Sequence, residues 1–292
     1  MRRFVLTSLL LLAAAAPLRA APAPAPEPVT AEAVEAALHE YVLARYAGDE
    51  AAVRARVHPR LARRMLQDRY WGQESRQWLR EFTPDQLRFT ATPHNRARLD
   101  DPAAGRAGIT VFDLEARTAS AVMVMEDAVD YVHVIHFDGR WLVADSALLP
   151  LAEVGAAPPA PTHDDDEAVA RVVRDYGIGF YEKDGAKVQG TCHSQLSKRT
   201  VESHESVDFN WLGSISWDEI AILGERFNAH WGFDPARARC EVEVYRVTDG
   251  IAAAKLTGSV WFDYLHLMRV NGEWRIVNIM YEGLPEERQE KA

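Results

Sequence analysis

Trp261-Phe-Asp-Tyr-Leu-His-Leu-Met-Arg-Val-Asn-Gly-Glu-Trp-Arg-Ile-Val-Asn278 decides the fold. Asn271-Gly272 is the strongest short hairpin signal, because a two-residue turn needs positive φ at both positions and Asn and Gly tolerate it best. A turn there pairs residues whose numbers sum to 543. His266 then faces Val277, Tyr264 faces Ile279 and Phe262 faces Tyr281, and period-two alternation puts all six on one face. The other face carries Trp261, Asp263, Leu265, Trp274, Ile276, Asn278 and Met280. Neither face alternates cleanly with polar residues, so neither is a wet face. One is expected to meet helices and the other a second sheet.

The same block occurs once before, at a shift of 133: Asp130-Tyr-Val-His133 matches Asp263-Tyr-Leu-His266, and Gly139 and Trp141 match Gly272 and Trp274. Upstream, Glu32–Leu66 aligns without a gap on Glu167–Val201 at a shift of 135, matching Tyr41/Tyr176, Tyr46/Tyr181, Asp49/Asp184 and His58/His193. Two matching blocks in the same order mark a tandem duplication. Val34, Leu38, Tyr41 and Val42, like Val169, Val172, Val173, Tyr176 and Phe180, follow helical spacing. A break follows at Gly48-Asp49 or Asp184-Gly185, then a short helix ending near His58 or His193. Ser216 and Glu219 have capping-box spacing and predict a third helix over Ser216–Phe227, with a weaker counterpart at Glu74–Phe82. Strands are expected at Cys240–Thr248, Ile251–Val270 and Glu273–Tyr281, and in the first half at Ala119–Phe137 and Arg140–Leu148 around Asp138-Gly139. Helices followed by an antiparallel sheet make an α+β fold. The chain reads as two tandem cone-shaped domains, 30–150 and 164–285, each with about three N-terminal helices on a curved antiparallel sheet. Residues 151–163 form a linker and 286–292 a charged tail.

The chain has 292 residues, 33 basic and 43 acidic side chains, and a formal charge of −10. That balance argues against nucleic acid and against an anionic membrane surface as partners. Residues 1–20 read as a signal peptide: Arg2 and Arg3, a thirteen-residue apolar run from Phe4 to Ala16, and a small residue at Ala20. Its removal takes three arginines and moves the charge from −10 to −13. Residues 21–29 form a Pro/Ala spacer of extended geometry. The expected location is outside the cytoplasm, in a bacterial periplasm, with no membrane attachment after cleavage. In an oxidising compartment Cys192 and Cys240 are candidates for a disulfide.

The strand residues Trp261 to Asn278 resemble the NTF2-like superfamily, and within it the group labelled "putative lumazine-binding"; ketosteroid isomerase-like domains are more distant relatives. The resemblance implies a helical layer wrapped over a curved sheet, with a cup between them. In ketosteroid isomerase-like domains a helix-1 tyrosine supplies an oxyanion hydrogen bond and stands eight residues before an aspartate at the helix break. Tyr41/Asp49 and Tyr176/Asp184 keep that spacing. The catalytic aspartate of those enzymes falls near Met65 or Thr200, which cannot act as bases. The second hole residue, an acid on the long strand, falls near Tyr131 or Tyr264. The resemblance therefore implies a fold that keeps some donors and lacks the base.

An apolar cup with a few polar handles is the usual composition of a small-molecule site. The Tyr264/His266 face is assigned to that cup. The expected domain 2 pocket comprises Tyr176, Tyr181, His193, Phe262, Tyr264, His266 and Tyr281. The expected domain 1 pocket comprises Tyr41, Tyr46, His58, Tyr131, His133 and Ser146. The sequence has no G-x-S-x-G, Gly-rich phosphate loop, H-E-x-x-H or CxxC, so no cofactor and no metal is expected. The reading is a non-catalytic protein that binds a small, partly apolar or aromatic ligand or serves as a scaffold. The two domains are expected to pack sheet to sheet as a pseudo-dimer, or to do so with a second chain. One alternative is an isomerase-, dehydratase- or hydrolase-type enzyme with Tyr176, His193, Tyr264 and His266 as acid–base groups. The other is a protein-interaction module.

Overall fold

The computed structural model describes residues 26–67, 77–86, 98–204 and 207–291. The expected signal peptide, and the spacer up to residue 25, lie outside the described residues. Domain 1 runs α1 (Ala31–Ala47), α2 (Glu50–Ala55), β1 (Val57–Gln67), β2 (Trp78–Phe82), β3 (Gly108–Glu115), β4 (Thr118–Val124), β5 (Ala128–Phe137) and β6 (Arg140–Pro150). Domain 2 runs α3 (Asp166–Glu182), α4 (Gly185–Thr191), β7 (Cys192–His204), β8 (Val207–Ile215), α5 (Trp217–Trp231), β9 (Cys240–Thr248), β10 (Ile251–Gly258), β11 (Trp261–Val270) and β12 (Glu273–Gly283). Each domain has one six-stranded sheet, in the orders β2-β1-β6-β5-β4-β3 and β8-β7-β12-β11-β10-β9.

Local chemistry sets these boundaries. Asp49 and Asp184 are N-caps: their carboxylates accept from the backbone N–H groups of Ala52 and Lys187. Ser216 and Glu219 form both bonds of the expected capping box. The hairpin turns take positive φ at both central residues, 51° and 85° at Asn271-Gly272 and 48° and 76° at Asp138-Gly139.

Several expectations are corrected. The strands expected over 119–137 and 251–270 are each two strands, β4/β5 and β10/β11, folded back as antiparallel neighbours. Trp78–Phe82 is a strand paired with β1, not the end of a helix. Each sheet is mixed, since β1 runs parallel to β6 and β7 to β12. His58 and His193 follow closely on the ends of α2 and α4, as expected, and lie at the starts of these parallel strands.

The register of the central hairpins carries the largest consequence. Leu267 pairs with Ile276, but His266 pairs with Asn278, so Val277 is bulged out. In domain 1, Val134 pairs with Val143 and His133 with Asp145, bulging Ala144. One inserted residue reverses the facing of everything beyond it. Tyr264 therefore pairs with Met280 and Asp263 with Tyr281, not Tyr264 with Ile279 or Phe262 with Tyr281.

One face of each sheet packs under its own helices. In domain 2 Leu265, Leu267, Ile276 and Ile279 meet Val169, Val173, Tyr176 and Phe180 there. The opposite faces pack on each other, in shared clusters such as Val129, Tyr131 and Ala147 with Ala253, Met268 and Val277. Residues near both ends of the described chain are docked too. Trp141 Nε1 donates to the Pro28 carbonyl, and the Arg288 guanidinium pairs with Glu115.

Candidate functional site

The sheet-to-sheet interface takes five of the expected pocket residues. Tyr131 shares a hydrogen bond of 2.8 Å with Thr248 of domain 2. The Tyr264 hydroxyl donates to Asp113 of domain 1 at 3.0 Å. His133 and His266 stack on each other with ring centroids 3.7 Å apart. Phe262 packs against Tyr264 in the cluster shared with Ile135 and Leu142. These side chains seal two domains together and do not line a cup. Polar groups on a buried face need partners, and here the partners come from the sister sheet.

Four more expected residues have structural duties. The hydroxyls of Tyr46 and Tyr181 donate to the carbonyls of Arg106 and Arg239, and they accept from the backbone N–H groups of Glu126 and Ser259. Each pins helix to sheet at the same place in the two repeats. His58 Nδ1 and His193 Nδ1 accept from the backbone N–H two residues on. Burial, with Arg199 and Arg60 nearby, lowers the His58 pKa to about 4. Both cysteines are free thiols, which corrects the expected disulfide. Cys192 on β7 and Cys240 on β9 stand four strand steps apart, roughly 19 Å at ~4.8 Å per step, far beyond the ~7 Å that a disulfide spans.

The concave side of each sheet holds a different set, and the duplication made it twice. Tyr41 matches Tyr176, Arg63 matches Lys198, and Asp130 matches Asp263. In domain 1, Arg63 donates to Asp130 at 2.9 Å and to the Tyr41 hydroxyl at 3.1 Å, while Ser146 donates to the other carboxylate oxygen. Each of these side chains has a partner. In domain 2, Lys198 pairs with one oxygen of Asp263 and Trp261 Nε1 donates to the other at 2.8 Å. The Lys198 ammonium sits 4.2 Å from the centre of the Tyr281 ring and 5.7 Å from that of Tyr176. The fully buried Tyr176 hydroxyl stands against the same Asp263 carboxylate. Burial and the nearby Asp263 carboxylate push this phenol well above its usual value, so it remains a donor. Burial draws the Lys198 amine down, against the pull of Asp263.

Beside this set lies a cavity of about 160 Å³, lined by Phe180, Lys198, Ile215, Leu223, Phe227, Trp261 and Tyr281. The walls are almost wholly apolar and aromatic, with one charged pair at the side. An engineered cavity of about 150 Å³ holds one benzene ring, so this volume suits one six-membered ring.

Of the expected domain 2 pocket, Tyr281 lines this cavity and Tyr176 stands beside its charged pair. Tyr281 arrives there through the bulge, as the partner of Asp263. In domain 1, Tyr41 and Ser146 belong to the Arg63–Asp130 set. Arg63, Lys198, Asp130 and Asp263 were not assigned to a pocket, yet the sequence carried a signal for them. Each charge recurs at the matching position in both copies. The acid–base alternative loses its geometry, because Tyr176 lies under the helices while Tyr264 and His266 lie on the opposite face of the same sheet. Among the described residues no three His, Cys, Asp or Glu side chains gather in a way that holds a metal ion. Nor is any described helix long and apolar enough to cross a membrane.

Comparison with known proteins gives one family model, described as "Putative lumazine-binding", which matches twice, over residues 29–147 and 164–282. No curated protein matches. Among solved structures, an NTF2-like protein of unknown function from Shewanella baltica is 20% identical, covering 43% of this chain and 98% of its own, with a TM-score of 0.36. An NTF2-like protein from Silicibacter pomeroyi is 18% identical over 41% of this chain and 97% of its own, with a TM-score of 0.33. A ketosteroid isomerase-like protein from Erwinia carotovora atroseptica is 14% identical over 42% of this chain and 99% of its own, also with a TM-score of 0.33. With both halves matched by the one model, the chain belongs to the putative lumazine-binding family, as two tandem domains.

Proposed function

We propose that the domain 2 cup binds a small one-ring ligand carrying a hydrogen-bond acceptor, and that the domain 1 set is the structural counterpart of this site. The observation that carries the reading is the contrast between the copies. Arg63, Tyr41, Asp130 and Ser146 hydrogen-bond to one another, whereas in domain 2 an apolar cavity adjoins the charged pair and Lys198 lines it. Aromatic walls supply the apolar contact, and Lys198 supplies the donor that sets orientation. The volume selects by size: a bicyclic or tricyclic compound needs the cup to open. The acidic balance of the chain supports a small-molecule partner over nucleic acid. The N-terminal leader supports export, with the periplasm as the place where the ligand is met.

The test is thermal unfolding of the chain with phenol, benzyl alcohol and benzoate. Ligand at a hundredfold excess over its Kd adds about 2.7 kcal/mol to the folded state, a clear rise in midpoint. Leu223→Trp fills the cavity and is expected to abolish the rise. An unchanged midpoint with all three compounds, or an equal rise in L223W, overturns the proposal. The interaction-module reading has lost its motive, since the apolar sheet faces cover each other.

A further inference from the structure

We infer that Lys198 captures small aldehydes or ketones covalently, as a reversible imine formed inside the domain 2 cup. The inference rests on the proposed binding site and adds a bond to it. Two features of that site converge. Lys198 is the one amine lining the cavity, and its side chain is only 3% exposed. Its partner Asp263 is fixed from the other side by the Trp261 indole, so the carboxylate is held where it can take the ammonium proton. Burial also draws the Lys198 amine toward its neutral, nucleophilic form.

The step balances without an oxidant or reductant. Asp263 accepts a proton from the Lys198 ammonium. The freed lone pair on Nζ attacks the carbonyl carbon, and the C=O π pair moves to oxygen, which takes up that proton to give a carbinolamine. A second proton, again from nitrogen by way of Asp263, lets the hydroxyl leave as water while C=N forms. One carbonyl compound and one amine become one imine and one water, and the reverse path releases the ligand.

Domain 1 supplies the control. It carries Arg63 at the equivalent position, paired with Asp130, so an arginine at 198 keeps the charge pair in an arrangement this fold already uses. A guanidinium forms no such imine. The experiment incubates the full chain with benzaldehyde and sodium cyanoborohydride near neutral pH and maps the benzyl adduct by peptide mass spectrometry. The other lysines, Lys183, Lys187, Lys255 and Lys291, serve as internal references. The expected result is an adduct concentrated on Lys198, lost in K198R and also lost in L223W, where the lysine is intact but the cavity is filled. Thermal unfolding of both variants establishes that they fold; if K198R fails to fold, L223W alone decides. An adduct spread evenly over exposed Lys183 and Lys291, or one on Lys198 that survives L223W, overturns the inference. If benzyl alcohol raises the melting midpoint and benzaldehyde leaves no adduct on Lys198, the cup binds but does not capture. If neither compound has an effect, the binding site itself falls.

Discussion

His133 and His266 lie face to face at the centre of the domain interface, ring centroids 3.7 Å apart and planes 20° from parallel. Their environments fix different tautomers. His133 Nδ1 donates to Asp145. Arg64 donates to the Asn278 oxygen, which sets that amide so that its nitrogen donates to His266 Nδ1. His266 therefore carries its proton on Nε2 and His133 on Nδ1. Both Nε2 atoms are buried without a partner.

A second proton on either ring would be buried against the other, with Arg64 and Arg199 close by. Burial holds both histidines below the usual imidazole value, and for His266 the neighbouring His133 and Arg64 add to it. A folded-state pKa below the unfolded one means that stability is full above about 6.5 and falls as pH drops through that value. The loss is at most about 1.4 kcal/mol per pH unit for each histidine. Glu282, raised by burial to about 7, runs the opposite way over the same window. The histidine contribution is thus read as a difference. Urea unfolding at pH 7.5 and 5.5 is expected to show a steeper acid loss for the natural chain than for His133→Phe/His266→Phe. Parallel pH profiles would refute the assignment.

Arg64 and Arg199 occupy matching positions and reach across the interface in opposite senses, but to partners of different charge. Arg199 faces the fully buried Asp145 carboxylate and the Ala144 carbonyl. Across the interface Arg64 faces the neutral Asn278, and within its own domain it pairs with the part-exposed Glu81 carboxylate, which solvent can partly take over. Deleting a cation beside a buried carboxylate strands a charge, at about 3–5 kcal/mol. Losing a donor to an amide costs about 1–3 kcal/mol. Arg199→Ala is expected to destabilise more than Arg64→Ala in urea unfolding, and Asp145→Asn is expected to narrow the gap. Equal costs would contradict this ordering.

The local signals in the sequence placed much of the chain. Asn271-Gly272, the Ser216/Glu219 cap and the alternation over Cys240–Thr248 each settled an element from neighbouring residues alone. The cup was harder to read, for two physical reasons. The bulges at Ala144 and Val277 leave no local mark, yet each reverses the facing of all that follows. The polar residues Tyr264 and His266 resembled ligand handles because their true partners, Asp113 and His133, lie more than 130 residues away in sequence. The Lys198–Asp263 pair was legible only as a charge repeated between the two copies.

The two thiols are predicted to be inert in the folded chain. Burial raises Cys192 to about 12 and Cys240 to about 11, so almost no thiolate exists at pH 8. Dithionitrobenzoate is expected to react slowly with the native protein and to titrate both cysteines in guanidinium without prior reduction. A titration that finds thiols only after reductant would restore a disulfide and undo the strand order between β7 and β9.

The wall of the cup depends on one glycine. A Cβ on Gly185, at the start of α4, would stand 2.2 Å from the Ala221 carbonyl oxygen on α5. Backbone gives way less readily than a side chain, so Gly185→Ala must push α5 outward, at about 1–3 kcal/mol. That helix carries Leu223 and Phe227, two walls of the cavity. The substitution is therefore expected to lower the melting temperature and also to weaken the response to benzyl alcohol. Gly190, in the same helix, meets nothing within 4 Å of its added Cβ. Gly190→Ala removes backbone freedom from the unfolded chain without a clash and is expected to shift stability by less than about 1 kcal/mol, with the ligand response unchanged. Equal behaviour of the two variants would show that the α4–α5 contact does not shape the cup.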